Sequence, residues 1–226
     1  MKLVLDVENT VTKRNDKMHL DPFEKDNSLI MVGCLTETGK EYLFHHETGF
    51  DGVQELLDRT TILIGHNISY DLMWLWECGF KYDGDVFDTM LTEYILLRGQ
   101  KKPLSLEACA ERYELETQKQ DTLKEYFKKG LGVGDVPKDE LSSYLSADLS
   151  ATQELSNELY KKLNDDEHSG LLNTVMHTNR VALTLAHIYK RGFAVDEKAL
   201  DKVKTEFEKE KTDIEKRLSI QVKELM

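Results

Sequence analysis

The sequence has few cysteines, no long apolar run and no surplus of positive charge. Its 226 residues include three cysteines, Cys34, Cys78 and Cys109. They are far apart, odd in number and form no Cys-x-x-Cys pair, an arrangement that fits a reducing compartment in which cysteine serves as a small apolar residue. The stretch from Met1 to Leu5 reaches Asp6 after only three apolar residues, too short for the core of a signal peptide, and no run approaches a membrane span. A cytoplasmic protein with no membrane partner is expected, in a host cytoplasm if the source is viral. Thirty bases against 42 acids give a formal net charge of -12, which argues against non-specific adhesion to DNA or anionic membranes. That balance leaves room for an enzyme that meets phosphates through bound metal, because carboxylates that hold cations add negative formal charge themselves.

At 40% hydrophobic and 32% charged residues, the chain has room for one sizeable globular domain and a smaller appendage. A first strand, 2–8, precedes a polar, turn-rich loop at 12–27. A buried strand at 28–35, a turn at 37–40 and a return strand at 41–45 form an antiparallel meander. A short helix at 51–58 and a strand at 61–65 lead to a helix capped by Asn67 or Ser69. A strand and helix over 86–97, the latter started by Asp88 or Thr89, are followed by helices at 104–113 and 121–129. Lysines 119, 124, 128 and 129 read as a solvated face, and the glycines at 130–134 as a flexible link. Strands mixed with helices predict an α/β fold, a mixed sheet with helices on its faces.

A long helix over 137–163 follows, its first turn opened by Pro137 and its buried stripe formed by leucines 141, 145, 149, 155, 159 and 163. The polar segment 164–170 reads as a junction. Beyond it stand a helix at 171–191, an extended piece, and a last helix capped by Asp196 and running to Met226. The apolar stripe of that last helix is narrow, as in a helix that needs a partner surface outside its own segment. No stop signal precedes the terminus, so the chain is expected to end mid-element.

Asp6 and Glu8 are spaced i, i+2 on the first strand and so share one face. Taken alone they fit a strand edge meeting water as well as a cation site. Asp71 falls in the first turn of its helix, where it either complements the helix dipole or serves a site. Tyr144 and Asp148, at i, i+4, share a face beside the leucine stripe, and a carboxylate there needs a partner. Carboxylates without histidine or cysteine companions favour Mg²⁺ or Mn²⁺ over zinc. Two such ions about 3.5 to 4 Å apart are the clamp for in-line displacement at phosphorus.

Asp6-x-Glu8, Asn67-x-x-Tyr70-Asp71 and Tyr144-x-x-x-Asp148 resemble, in order and spacing, the three motifs of the 3′-5′ proofreading exonuclease domain of family A DNA polymerases, those of bacteriophages in particular. Asp88-Thr89-Met90-Leu91 with Tyr94-Ile95-Leu96, and Leu104-Ser105-Leu106 through Tyr113, are similar to the helices after the second motif. The resemblance covers 1–163, with 164–170 as linker. The stretch from Tyr189 to Asp196 resembles the opening of the polymerase domain, so 171–226 would be its incomplete, thumb-like start.

The resemblance implies a ribonuclease H-like three-layer fold with a C-terminal helical extension. It implies that Asp6, Glu8 and Asp148 hold one Mg²⁺ or Mn²⁺ ion, with Asp6 bridging to a second that Asp71 supports through water. Tyr144 would orient the attacking water, a phenol of pKa about 10 being a hydrogen-bond partner before it is a base. Ser143 stands where histidine-type relatives carry their histidine, which indicates the tyrosine subtype. Asn9, Thr10, His66 and Asn67 match positions near the substrate strand. The implied function is removal of nucleoside 5′-monophosphates from a single-stranded DNA 3′ end, with no synthesis by this chain alone and a polymerase domain as partner, in cis or as a separate chain. An RNA-trimming exonuclease of the same superfamily and a non-catalytic nucleic-acid-binding module are the alternatives. The sequence departs from the family at Asn9, where threonine is common, and at Val11, the one candidate for an apolar wedge.

Overall fold

A computed structural model describes residues 1–15, 17–117, 122–168 and 170–225. Lys119, Asp121, Ser169 and Met226, used in the expectations above, lie outside the described residues. The sheet is built from β1 (Lys2–Asn9), β4 (Leu29–Thr36), β5 (Glu41–His45), β6 (Ile62–Gly65) and β7 (Asp85–Asp88), in the order β5-β4-β1-β6-β7. The pairs β5–β4 and β4–β1 are antiparallel, and β1–β6 and β6–β7 are parallel, so the sheet is mixed as expected. Between β1 and β4, where a polar loop is expected, β2 (Thr12–Arg14) and β3 (Lys17–His19) form a small separate hairpin.

Alternation along β1 assigns its side chains to two cores. Leu3, Leu5 and Val7 pack with α1 (Val53–Asp58) and α2 (Ile68–Glu77) on one face. Val4 packs on the other face, with α4 (Leu106–Arg112), α5 (Thr122–Lys128) and α6 (Lys138–Leu163). Asp6 and Glu8 continue the Val4 face and therefore meet α6. The six leucines of the predicted α6 stripe are all buried. Where a flexible link is expected at 130–134, Val133–Asp135 form a short ordered turn, with Val133 and Val136 as buried apolar anchors.

The second face is closed by α3 (Thr89–Leu96) and α7 (Leu171–Arg191) around β7. The Asn179 side chain accepts the Asp88 N–H at 3.2 Å, Arg180 pairs with Asp85 at 3.2 Å, and Trp76 of α2 stacks on His187 at 4.0 Å. One compact unit runs from Met1 to Lys190 and takes in residues 164–168. A second unit, Arg191–Met226, holds α8 (Glu197–Leu225), capped by the Asp196 carboxylate on Ala199 N–H at 3.0 Å. Leu200, Val203, Phe207, Ile214, Leu218 and Val222 on α8 are all exposed. No described helix is long and apolar enough to cross a membrane.

Candidate active site

Three of the four predicted acids come together. Carboxylate oxygens of Asp6, Glu8 and Asp148 lie within 4.8 Å of one another, with Asp148 buried and the two strand acids partly exposed. What permits this is a glycine. Asp6 pairs in register with Gly33 on β4, and a Cβ at Gly33 would stand 2.8 Å from both Leu145 Cγ and Leu149 Cδ1. The bare backbone lets the α6 leucines lie directly on the sheet, which sets Tyr144 and Asp148 beside β1. A lone glycine inside an apolar strand marks such a close approach, so the signal stands in the sequence although the site residues alone do not announce it.

Tyr144 is buried and bonds through its hydroxyl to Asp148. Burial, followed by the nearby Asp148 and Glu8 charges, pushes its phenol far above the usual value of 10, so at neutral pH it is a hydrogen-bond donor.

Asp71 stands next to this trio without joining it. Pairing of β1 with β6 ends at Val4, and beyond that point the Val7 N–H is taken by Asp71 Oδ1 at 3.0 Å. The carboxylate of α2 thus continues the ladder where the neighbouring strand has ended. Burial, then the nearby Asp6 charge, drives the Asp71 carboxyl well above its ordinary 3.8, against the pull of the Val7 amide. Carboxylates brought this close repel one another, and a bound cation would offset that repulsion. Oxygen-only donors with no nitrogen or sulfur match a hard divalent cation.

The predicted strand-contacting positions are tied into the protein. Asn9 Oδ1 accepts from the Tyr70 hydroxyl at 2.8 Å, and Thr10 Oγ1 accepts from Ser28 N–H at 2.7 Å. His66 places one ring nitrogen 2.9 Å from the Thr89 hydroxyl and the other 2.8 Å from the Leu104 carbonyl. Asn67 lines a groove with Ser69, Met73, Leu185 and Tyr189. Neither Asn67 nor Ser69 caps α2 with its side chain; Asn67 is left-handed at φ 65° and makes no such bond. Asp88 does the work instead. Its carboxylate accepts from Asn67 and Ile68 N–H, both at 3.1 Å, and from Met90 at 2.9 Å and Leu91 at 3.2 Å, so one side chain caps α2 and α3 together. Burial raises the Asp88 carboxyl, and those four amides restrain the rise. The sequence marks Asp88 as the start of α3 but not as the cap of α2, since the second role depends on β6 and β7 ending side by side.

A family model described as 3′-5′ exonuclease matches residues 17–164, more than half of the chain. The chain belongs to the 3′-5′ exonuclease family. The matched range takes in Asp71, Tyr144 and Asp148 and begins after Asp6 and Glu8, so it is the acidic cluster that joins the first strand to this exonuclease domain. No curated protein matches the sequence.

Among solved structures, Brucella melitensis NrnC with bound Mg²⁺ is similar at 18% identity and a TM-score of 0.61, over 84% of this chain and 86% of that one. Escherichia coli RNase D, described as an exoribonuclease involved in structured RNA processing, is similar at 14% identity and 0.59, over 82% and 44%. The POL domain of Pol1 from M. smegmatis, in complex with DNA primer-template and dNTP, is similar at 17% identity and 0.62, over 93% and 32%. At these identities the likeness concerns the fold, the ribonuclease H-like arrangement of a mixed sheet between helices that the exonuclease shares with them.

Proposed function

We propose that the protein is a metal-dependent 3′-5′ exonuclease acting on single-stranded or frayed DNA, as the proofreading part of a family A DNA polymerase. The observation that carries the reading is the oxygen-only cluster of Asp6, Glu8 and Asp148 with the Tyr144 hydroxyl on Asp148. Asp6, Glu8 and Asp148 would hold one divalent cation, with Asp6 shared with a second that Asp71 would support through water. Bound there, two Mg²⁺ or Mn²⁺ ions supply a more acidic water and neutralise charge at the scissile phosphate. Tyr144, held protonated, orients the attacking water by donating or accepting a hydrogen bond, and it does not remove the proton. The Val7 amide fixes Asp71, and the sheet fixes Asp6 and Glu8, so the acids are set before substrate arrives.

Two observations support the polymerase context. The segment from Tyr189 to Asp196 resembles the opening of a polymerase domain. The Pol1 likeness extends over 93% of this chain, against 84% for NrnC and 82% for RNase D. Incubation with 5′-labelled DNA and RNA oligonucleotides in Mg²⁺ tests the reading. Stepwise shortening of single-stranded DNA to nucleoside 5′-monophosphates, abolished by EDTA or in Asp148→Asn, is expected. Preference for RNA would favour the RNA-trimming alternative, and persistent activity in Asp148→Asn would overturn the site. No nucleotide incorporation is expected from this chain alone.

A further inference from the structure

In a chain of net charge -12, positions 13–17 hold Lys13, Arg14 and Lys17, all exposed, against one acid, Asp16, which lies outside the described residues. Met18, beside them, is 59% exposed. Cross-strand partners are Thr12 with His19, Lys13 with Met18, and Arg14 with Lys17. By strand alternation, Thr12, Arg14, Lys17 and His19 share one face and Lys13 and Met18 the other. The first face is folded onto the following loop. Thr12 donates to Asn27 Oδ1 at 2.8 Å, Arg14 pairs with Glu24 at 3.1 Å, and Asn27 donates to the His19 and Asp21 carbonyls at 2.8 and 2.9 Å. Lys13 and Met18 are turned outward, with Lys17 at the edge.

The hairpin is rooted at the acidic site. It leaves β1 through Thr10 and Val11, directly after Asn9. The Tyr70 hydroxyl, one residue before Asp71, lies 2.8 Å from Asn9 Oδ1 and 2.9 Å from the Leu20 carbonyl and shares its one proton between them. The Phe23 ring lies 6.0 Å from that of Tyr189. The root of the hairpin is therefore held by β1 and α2, the elements that carry Asp6, Glu8 and Asp71.

We propose that this hairpin is a clamp for the single-stranded nucleic acid upstream of the scissile bond, Lys13 and Lys17 meeting its phosphates and Met18 lying against a base. Local cations on an acidic protein overcome the repulsion that its overall charge imposes on a polyanion. An apolar, polarisable side chain that shares its face with Lys13, with Lys17 next to it at the hairpin's edge, takes any base face without reading its edge. The proposal rests on the nuclease reading of the acidic site and adds to it the element that holds the strand.

The test compares two substrates in the intact protein: the p-nitrophenyl ester of thymidine 5′-monophosphate, which has no upstream strand, and a ten-nucleotide single-stranded DNA. In K13A/K17A/M18A, KM on the oligonucleotide should rise about tenfold, with turnover of the ester unchanged. The slope of log affinity against log salt should fall by about 1.4, since each lysine removed from a single-strand phosphate lowers it by about 0.7. A control with equal charge change, K101A/K102A, should alter neither. Unchanged KM and salt slope in the hairpin variant, or an equal weakening in the control, would overturn the clamp. Failure of the wild-type protein to hydrolyse the ester and the oligonucleotide would instead reject the nuclease reading.

Discussion

Asp71 Oδ1 accepts the backbone N–H of Val7 at 3.0 Å, so an acid on a helix completes the hydrogen bonding of the strand that carries the other acids. Its charge and its shape can be separated by substitution. Asp71→Asn keeps an oxygen acceptor for Val7 and should fold normally while nuclease rate falls at least a hundredfold. Asp71→Ala leaves a buried amide without a partner and should also reduce stability by about 1–3 kcal/mol in urea denaturation.

The same carboxyl sets a pH dependence. Because burial and Asp6 raise it above 3.8, the metal-free protein is favoured at pH below that value, and this contribution fades as pH rises through the raised folded value. Melting of metal-free protein from pH 4 upward should therefore show a decline that is smaller in Asp71→Asn. Parallel curves for the two proteins would contradict the assignment of the effect to Asp71.

Added Mg²⁺ or Mn²⁺ should raise the melting temperature. A cation at a hundred times its dissociation constant contributes about 2.7 kcal/mol, or about 5–10 °C for a unit of this size. The shift should vanish in Asp6→Ala and Asp148→Asn, and scanning calorimetry reads it without any substrate.

Tyr144→Phe should keep that metal-induced shift while the rate falls about ten- to a hundredfold, since positioning is weakened while the acids stay. As the phenol is pushed above its ordinary value of 10, the wild-type pH–rate profile should show no limb that disappears in the variant between pH 7 and 10.

Gly33→Ala should cost about 1–3 kcal/mol by overpacking against Leu145 and Leu149. It should lower nuclease activity more than an equally destabilising change on α1, because it lifts the helix that carries Asp148. Thermal melts paired with activity assays at a temperature where both variants are folded distinguish the two effects.

Much of this arrangement is legible in the residues. Period-two alternation in β1 puts Asp6 and Glu8 on one face, and the leucine stripe puts Tyr144 and Asp148 at the border of the buried side of α6. Both are local patterns. The cap of α2 is not legible: Asn67 and Ser69 have the right chemistry nearby, whereas Asp88 reaches the helix from the end of the neighbouring strand, about twenty residues on in the chain. The β2–β3 hairpin looks like loop because three-residue strands carry too little apolar pattern to register. The role of Asp71 on Val7 depends on where β6 stops pairing, a property of the assembled sheet.

The approach of α6 over Gly33 also sets when the acids can meet. Asp148 belongs to a helix synthesised more than a hundred residues after Asp6 and Glu8, so the meeting that unites them is among the longest-range in the unit. Such meetings come late, after shorter loops have closed. A chain whose α6 has not yet docked over Gly33 therefore carries all the acids but not the cluster they form.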